Sequence, residues 1–152
     1  MYTRNKIIQF DEIFPGTHPI ISTTICDRMS KIRIEGHTMH ELSYISRMVT
    51  TALLACEKND IKKVDELVIS VGETTGLIPH YLEDYYPKCT EGTLLEGSHL
   101  TVHFIPVTAK CLNCGEEYKP SPKNQYACPK CQSIKASFIA GREFRLDRII
   151  GE

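Results

Sequence analysis

Residues 111–131 read CLNCGEEYKPSPKNQYACPKC. Two Cys-x-x-Cys pairs, Cys111 with Cys114 and Cys128 with Cys131, stand thirteen residues apart. A two-residue spacer lets both thiolates of a pair face one centre from a tight turn, and two such turns supply the four sulfurs of a tetrahedral zinc shell. Gly115 follows the first pair and can take the positive φ that closes such a turn. Pro129 fixes φ inside the second pair. The linker carries Pro120, Pro122 and no long apolar run, so it has little core of its own and needs a metal to order it. Two disulfides or four unrelated core cysteines are the alternatives, and paired spacing favours the metal. Iron in a four-sulfur site stays open, because sulfur count alone does not choose the metal. Four thiolates leave no position for water, so Cys111, Cys114, Cys128 and Cys131 are expected to hold a structural zinc, Zn(II), rather than a catalytic one.

Working outward, the apolar period changes around this stretch. Leu42, Ile45, Val49, Ala52, Leu53 and Cys56 recur at three and four, which predicts a helix from about Met39 to Asn59-Asp60. Thr38 with Glu41 matches a capping box. Val64 to Val71 reads as a strand, with Leu67, Ile69 and Val71 on one face and Val68 and Ser70 on the other. Pro79 suits a first helical turn, and a second helix follows to about Cys89, ended or kinked near Pro87. Leu100, Val102 and Phe104 alternate with His99, Thr101 and His103 as a half-buried strand. A last strand runs from Glu143 to Ile150. The expected fold class is α+β: a small three-stranded sheet with two helices, plus an inserted zinc-ribbon domain. Residues 39–108 and 138–152 form the α+β domain and 109–137 the ribbon. Residues 1–38 form an N-terminal extension, broken by Pro15-Gly16 and Pro19, to which no sustained period assigns an element.

Composition bounds the functional classes. The 152 residues are 41% hydrophobic and 24% charged, the balance of a globular chain. The net charge of −1 gives no electrostatic case for nucleic acid or an anionic membrane surface. The cysteine-rich stretch is mildly basic before metal binding, and a zinc with four thiolates removes most of that. No run of about 18 apolar residues exists to span a membrane. The N-terminus lacks the apolar core of a secretory signal, and its acidic residues do not suit an organellar transit peptide. Beyond the two pairs, Cys26, Cys56 and Cys89 remain as an odd set of thiols, which suits a reducing, cytoplasmic setting.

Catalytic motifs are missing. There is no phosphate-binding Gly-x-x-x-x-Gly-Lys-Ser/Thr loop and no Gly-x-Ser-x-Gly elbow, so no enzyme activity is expected. His99 and His103 share one strand face but lie about 13 Å apart at about 3.3 Å per residue, too far to chelate one ion together. They and His80 are expected on solvated faces. His40-Glu41, read locally, is a histidine and a carboxylate opening a helix.

A resemblance gives that pair more meaning. Met39-His40-Glu41-Leu42-Ser43 resembles the N-terminus of the HypA/HybF hydrogenase nickel-incorporation proteins. Val71-Gly72-Glu73 with Gly76-Leu77-Ile78-Pro79 resembles that family's Val-Gly-Glu segment. Glu91-Gly92-Thr93 with Leu95-Glu96-Gly97 resembles its Gly-Thr…Leu-Glu-Gly stretch. The cysteine pairs fall where the family binds zinc, and Gly141-Arg142-Glu143-Phe144 resembles its closing strand. The resemblance implies a nickel metallochaperone that carries Ni(II) as cargo for hydrogenase, and in some organisms for urease. It implies His40 as the principal nickel ligand, Glu41 as a contributor and Met39 as a backbone donor. Planar nitrogen and oxygen ligation suits Ni(II), and protonation of an imidazole in mild acid offers a release route. Implied partners are a HypB-like maturation GTPase, the hydrogenase large subunit and a urease accessory protein, with no nucleic acid and no membrane. The alternative is a zinc-ribbon interaction module that binds nucleic acid or a protein partner. Near-neutral charge and the Met-His-Glu helix start oppose it.

The chain departs from the family at one point: 38 residues precede Met39. With them in place Met39 has no free amine, Thr38 can cap the helix, and His37, three residues before His40, can substitute as a donor. Met39 is expected to be the working start. The periodic pattern begins there, the family's site uses a terminal amine, and Glu35-Gly36 must be encoded by a purine run resembling a bacterial ribosome-binding sequence.

Overall fold

The computed structural model of the chain describes residues 6–9 and 39–152, and for Met39 and His40 the backbone only. In order, the described elements are β1 (Lys6–Gln9), α1 (Met39–Lys58), β2 (Val64–Gly72), α2 (Pro79–Thr90), β3 (His99–Ile105), β4 (Thr108–Cys111), β5 (Glu117–Tyr118), β6 (Ala136–Ala140) and β7 (Phe144–Gly151), with short 3-10 turns at Glu73–Thr75 after β2 and at Pro122–Asn124 after β5. One sheet has the order β1-β7-β2-β3 and a second the order β5-β4-β6. The fold is α+β with two α-helices, as expected. The three expected strands are β2, β3 and β7, and Lys6–Gln9 adds a fourth to their sheet, from the stretch to which no period assigns an element.

The described residues divide into two compact units: residues 6–9, 39–69, 78–102 and 145–152 form one, and residues 70–77 and 103–144 the other. In the first unit α1 packs on α2. Ile45, Val49, Ala52 and Cys56 of the predicted stripe are fully buried, joined by Met48 and Ala55, while Leu53 is half-buried. Central strand β2 is buried from Leu67 to Gly72 on both faces, so Val68 and Ser70 are covered as well as Leu67, Ile69 and Val71. A strand covered on both sides reads as a continuous apolar run rather than an alternation. Strand β3 lies at the sheet edge and loses burial along its length: Leu100 is buried, Val102 half-buried and Phe104 exposed.

Helix α2 continues past Pro87 to Thr90. Proline deprives the carbonyl four residues back of its donor, and the turn that follows is held by the Thr90 hydroxyl, which donates to the carbonyls of Tyr86 (3.0 Å) and Pro87 (3.2 Å). The loop that follows is stitched locally. The Gly92 N–H donates to the Glu96 carboxylate (2.8 Å), the Thr93 hydroxyl donates to the Thr90 carbonyl (2.6 Å), and Leu95 is fully buried. The Gly-Thr…Leu-Glu-Gly pattern therefore encodes a self-contained loop here. No helix among the described residues is long and apolar enough to cross a membrane.

In the second unit the Val71-Gly72-Glu73 signature has a packing role. A Cβ on Gly72 would lie 2.3 Å from the Gly141 carbonyl carbon, and one on Gly141 would lie 2.4 Å from Val107 Cα. Gly72 N–H donates to the Glu143 carbonyl (2.6 Å) and Thr74 N–H to the Gly141 carbonyl (2.8 Å). Gly141 also has φ +93, where an L side chain is strained. Gly141→Ala is expected to destabilise this unit by about 2–5 kcal/mol, from left-handed strain plus overpacking against backbone that cannot yield. Denaturant unfolding followed by a probe in β4 or β6 reads that loss, and an unchanged midpoint would refute it.

Glu73 closes the same region. Its Oε2 accepts the Val107 N–H (2.8 Å) and lies 3.3 Å from the Lys119 ammonium. The Val107 N–H, and after it Lys119, hold this carboxyl below the ordinary glutamate range. A group with a depressed folded pKa stabilises above its unfolded pKa and loses that contribution as pH falls through the folded one. Glu73→Gln is therefore expected to be less stable than wild type at neutral pH and to converge with it as pH drops below the carboxylate range. Parallel stability curves for the two proteins from pH 7 to pH 3 would count against that role.

Candidate metal centres

Cys111 ends β4 and opens the first turn. Its carbonyl accepts the Gly115 N–H (3.0 Å), with Gly115 at φ +77, and its own N–H donates to the Glu116 carbonyl (2.8 Å). The second turn repeats this without glycine. The Cys128 carbonyl accepts the Gln132 N–H (2.8 Å), Gln132 sits at φ +59, and Cys128 N–H donates to the Ser133 carbonyl (2.9 Å). The left-handed residue after the second pair was invisible in the sequence, because glutamine does not signal it. Leu112 N–H donates to the Lys135 carbonyl (2.9 Å), which ties the first turn to the segment entering β6.

The four sulfurs converge. Cys111 and Cys131 Sγ lie 3.5 Å apart, Cys114 and Cys128 Sγ 3.6 Å apart, and all four lie within 4.8 Å of one another. Zinc–sulfur bonds of about 2.3 Å in a tetrahedron place sulfurs about 3.8 Å apart, so the donor set fits one such ion. Cys111 and Cys128 are buried with Ala109 and Tyr118 in a small core of their own, against which Cys131 and Ala136 pack. The Asn113 hydrogen bond, followed by the Ser133 backbone, lowers the Cys131 thiol to about 6. Cys114 is pushed up to about 12: the Glu116 backbone favours its thiolate, but desolvation and the hydrogen bonds of the other three sulfurs outweigh this. Four sulfurs this close release protons as a group, and a divalent cation is what lets all four ionise together. Among the described residues this is the only gathering of three or more metal-ligating side chains.

The second candidate centre is the start of α1, where Met39, His40 and Glu41 open the helix. Glu41 is 5% exposed, and its Oε2 is buried with no hydrogen-bond partner. A buried carboxylate oxygen without a donor is costly unless something positive meets it. Thr38 and His37, expected as helix cap and substitute donor, lie outside the described residues, as does Cys26. The other predicted bystanders stay apart. His99 and His103 are exposed on β3, and His80 is exposed with Asp84 Oδ2 3.1 Å from its Nε2. Burial raises the Cys56 thiol and pushes Cys89 up to about 11, so neither offers a thiolate at neutral pH.

Known proteins resemble this chain over most of its length. A family profile described as hydrogenase/urease nickel incorporation, metallochaperone, matches residues 39–150. The hydrogenase maturation factor HypA of Methanocaldococcus jannaschii is 37% identical over 115 residues, covering 71% of this chain and 93% of that protein. The HypA of Picosynechococcus is 31% identical over 108 residues, covering 71% of this chain and 95% of its own. The solution structure of a HypA protein shares the fold at a TM-score of 0.59 with 23% identity, covering 75% of this chain and 97% of that one. The solution structure of the nickel metallochaperone HypA from Helicobacter pylori does so at 0.54 with 24% identity, covering 73% and 96%. With a domain-length match from Met39 onward and a four-cysteine cluster that fits a structural zinc, this chain belongs to the HypA family of nickel metallochaperones for hydrogenase maturation.

Proposed function

We propose that the chain binds Ni(II) as cargo at the start of α1 and hands it over during maturation of nickel–iron hydrogenase, as a cytoplasmic carrier and docking protein rather than an enzyme. His40 is the principal ligand, Met39 contributes through its backbone, and Glu41 contributes its carboxylate. The observation that carries this reading is the family match beginning at Met39, where Met39-His40-Glu41 opens α1. The unpartnered Oε2 of Glu41 supports it, since a bound cation or a group oriented by one would satisfy that oxygen. Cys111, Cys114, Cys128 and Cys131 hold a structural zinc in the other compact unit, which they order when it is bound. Two separate centres let cargo exchange without disturbing the fold.

Urease is a second client on this reading, through a urease accessory protein. A HypB-like GTPase and the hydrogenase large subunit are the maturation partners. Nickel titration of the wild-type protein and of His40→Ala tests the assignment, and equal affinity in the two would end it. A chain starting at Met39 adds the terminal amine to the donor set and is expected to bind nickel more tightly than the full chain. Titration of the two forms side by side checks this, and equal or weaker binding by the short form would remove the amine from the site.

A further inference from the structure

We infer that the outer edge of β7 is a strand-acceptor site, and that this chain fills it with its own Lys6–Gln9, a displaceable strand from outside the family domain. Lys6, Ile7, Ile8 and Gln9 pair antiparallel with Gly151, Ile150, Ile149 and Arg148. Residues 39–150 carry the family match, so β1 is an addition to that domain. An edge strand presents a row of unpaired N–H and C=O groups, and adding an extended segment is a recurrent way to satisfy them.

Two side chains give the docking its selectivity. Ile8 is 8% exposed and pairs with the fully buried Ile149, while Ile7 beside it is 59% exposed. Lys6 Nζ donates to the Asn59 carbonyl just beyond α1 (3.4 Å), where a helix C-terminus favours a cation. The edge thus selects an extended segment with a basic residue two positions before a buried aliphatic one. The remaining contacts of β1 are shallow: Lys6, Ile7 and Gln9 are all exposed. A four-residue edge strand that adds to its β7 ladder, among the described residues, one buried side chain and one exposed hydrogen-bonded cation belongs to the part of a structure that opens independently of its core. Residues 10–38 join the strand to Met39 in sequence, and a covalent connection makes its docking an intramolecular event. The strand therefore shields an edge that other extended segments could pair with, and releases it on competition.

Hydrogen exchange on the full chain tests this. Relative to wild type, Ile8→Asp is expected to speed exchange in the segment around Arg148–Gly151 by at least about tenfold, Ile7→Asp by less than about twofold, and neither to change α1. A synthetic peptide of sequence RNKIIQFD, added at millimolar concentration to the Ile8→Asp protein, restores protection, and the same peptide carrying Asp at the Ile8 position does not. Equal effects of the two substitutions, or no acceleration in either, would overturn the docking. Loss of α1 protection in Ile8→Asp would make β1 part of the cooperative core and overturn its displaceability, as would failure of the wild-type peptide to restore protection. Protection that rises with protein concentration would assign the strand to a second copy and overturn its origin in the same chain.

Discussion

His40→Ala is expected to lose nickel affinity by at least about 100-fold while keeping its zinc, since even residues that only orient a metal ligand cost 10–100-fold when removed. The size follows from the proposed donor set. Neighbouring main-chain atoms and one carboxylate remain at the start of α1, and none replaces an imidazole for Ni(II). Glu41, already buried, keeps an oxygen without a donor in the variant. Zinc stays because its four sulfurs belong to a different compact unit from His40 and form a closed shell. Binding should also weaken in mild acid, because only a neutral imidazole coordinates a metal. Metal analysis on the same samples used for titration separates the two ions. Zinc lost together with nickel in His40→Ala would refute independent centres, and so would one-for-one displacement of zinc by nickel in wild type.

Cys111→Ser is expected to abolish stoichiometric zinc binding and to unfold the β5-β4-β6 ribbon, with α1 and α2 still folded. Binding free energies of structural zinc in small peptides run to about 10–16 kcal/mol, far more than a small core can replace. The buried part of that core is Ala109, Cys111, Tyr118 and Cys128, so two of its four members are themselves ligands. Salt bridges do not make up the difference: the Lys130–Glu116 pair at 3.3 Å is solvent-exposed and contributes little. The α1–α2 layer has its own core, from Ile45, Val49, Leu67, Ile69, Leu82 and Leu95 among others, all fully buried. Hydrogen exchange should therefore accelerate in β4 and β6 and not in α1. A full complement of zinc in the variant would remove the four-sulfur assignment, and collapse of α1 protection would remove the independence of the two cores.

What the sequence determined by itself is what local spacing can carry. Two cysteines two residues apart reach one centre whatever surrounds them, so the ligand set was readable from residues 111–131, and the sulfurs do converge. The stripe of α1 was readable because a helix repeats its buried face every three to four residues, from Ile45 to Cys56. The tertiary structure decided the features that depend on distant partners. Gly72 is required because Gly141 presses against it, and Glu73 is held by the N–H of Val107. Neither requirement is visible in a signature of three adjacent residues. Strand β1 has too few residues to show a period, and only the β7 edge near the other end of the chain makes Lys6–Gln9 a strand. Gln132 takes a left-handed φ because the closing of the second turn around Cys128 requires it, not because glutamine favours it. The buried, unpartnered oxygen of Glu41 likewise arises from packing at the start of α1, since nothing in Met39-His40-Glu41 alone says that the carboxylate turns inward.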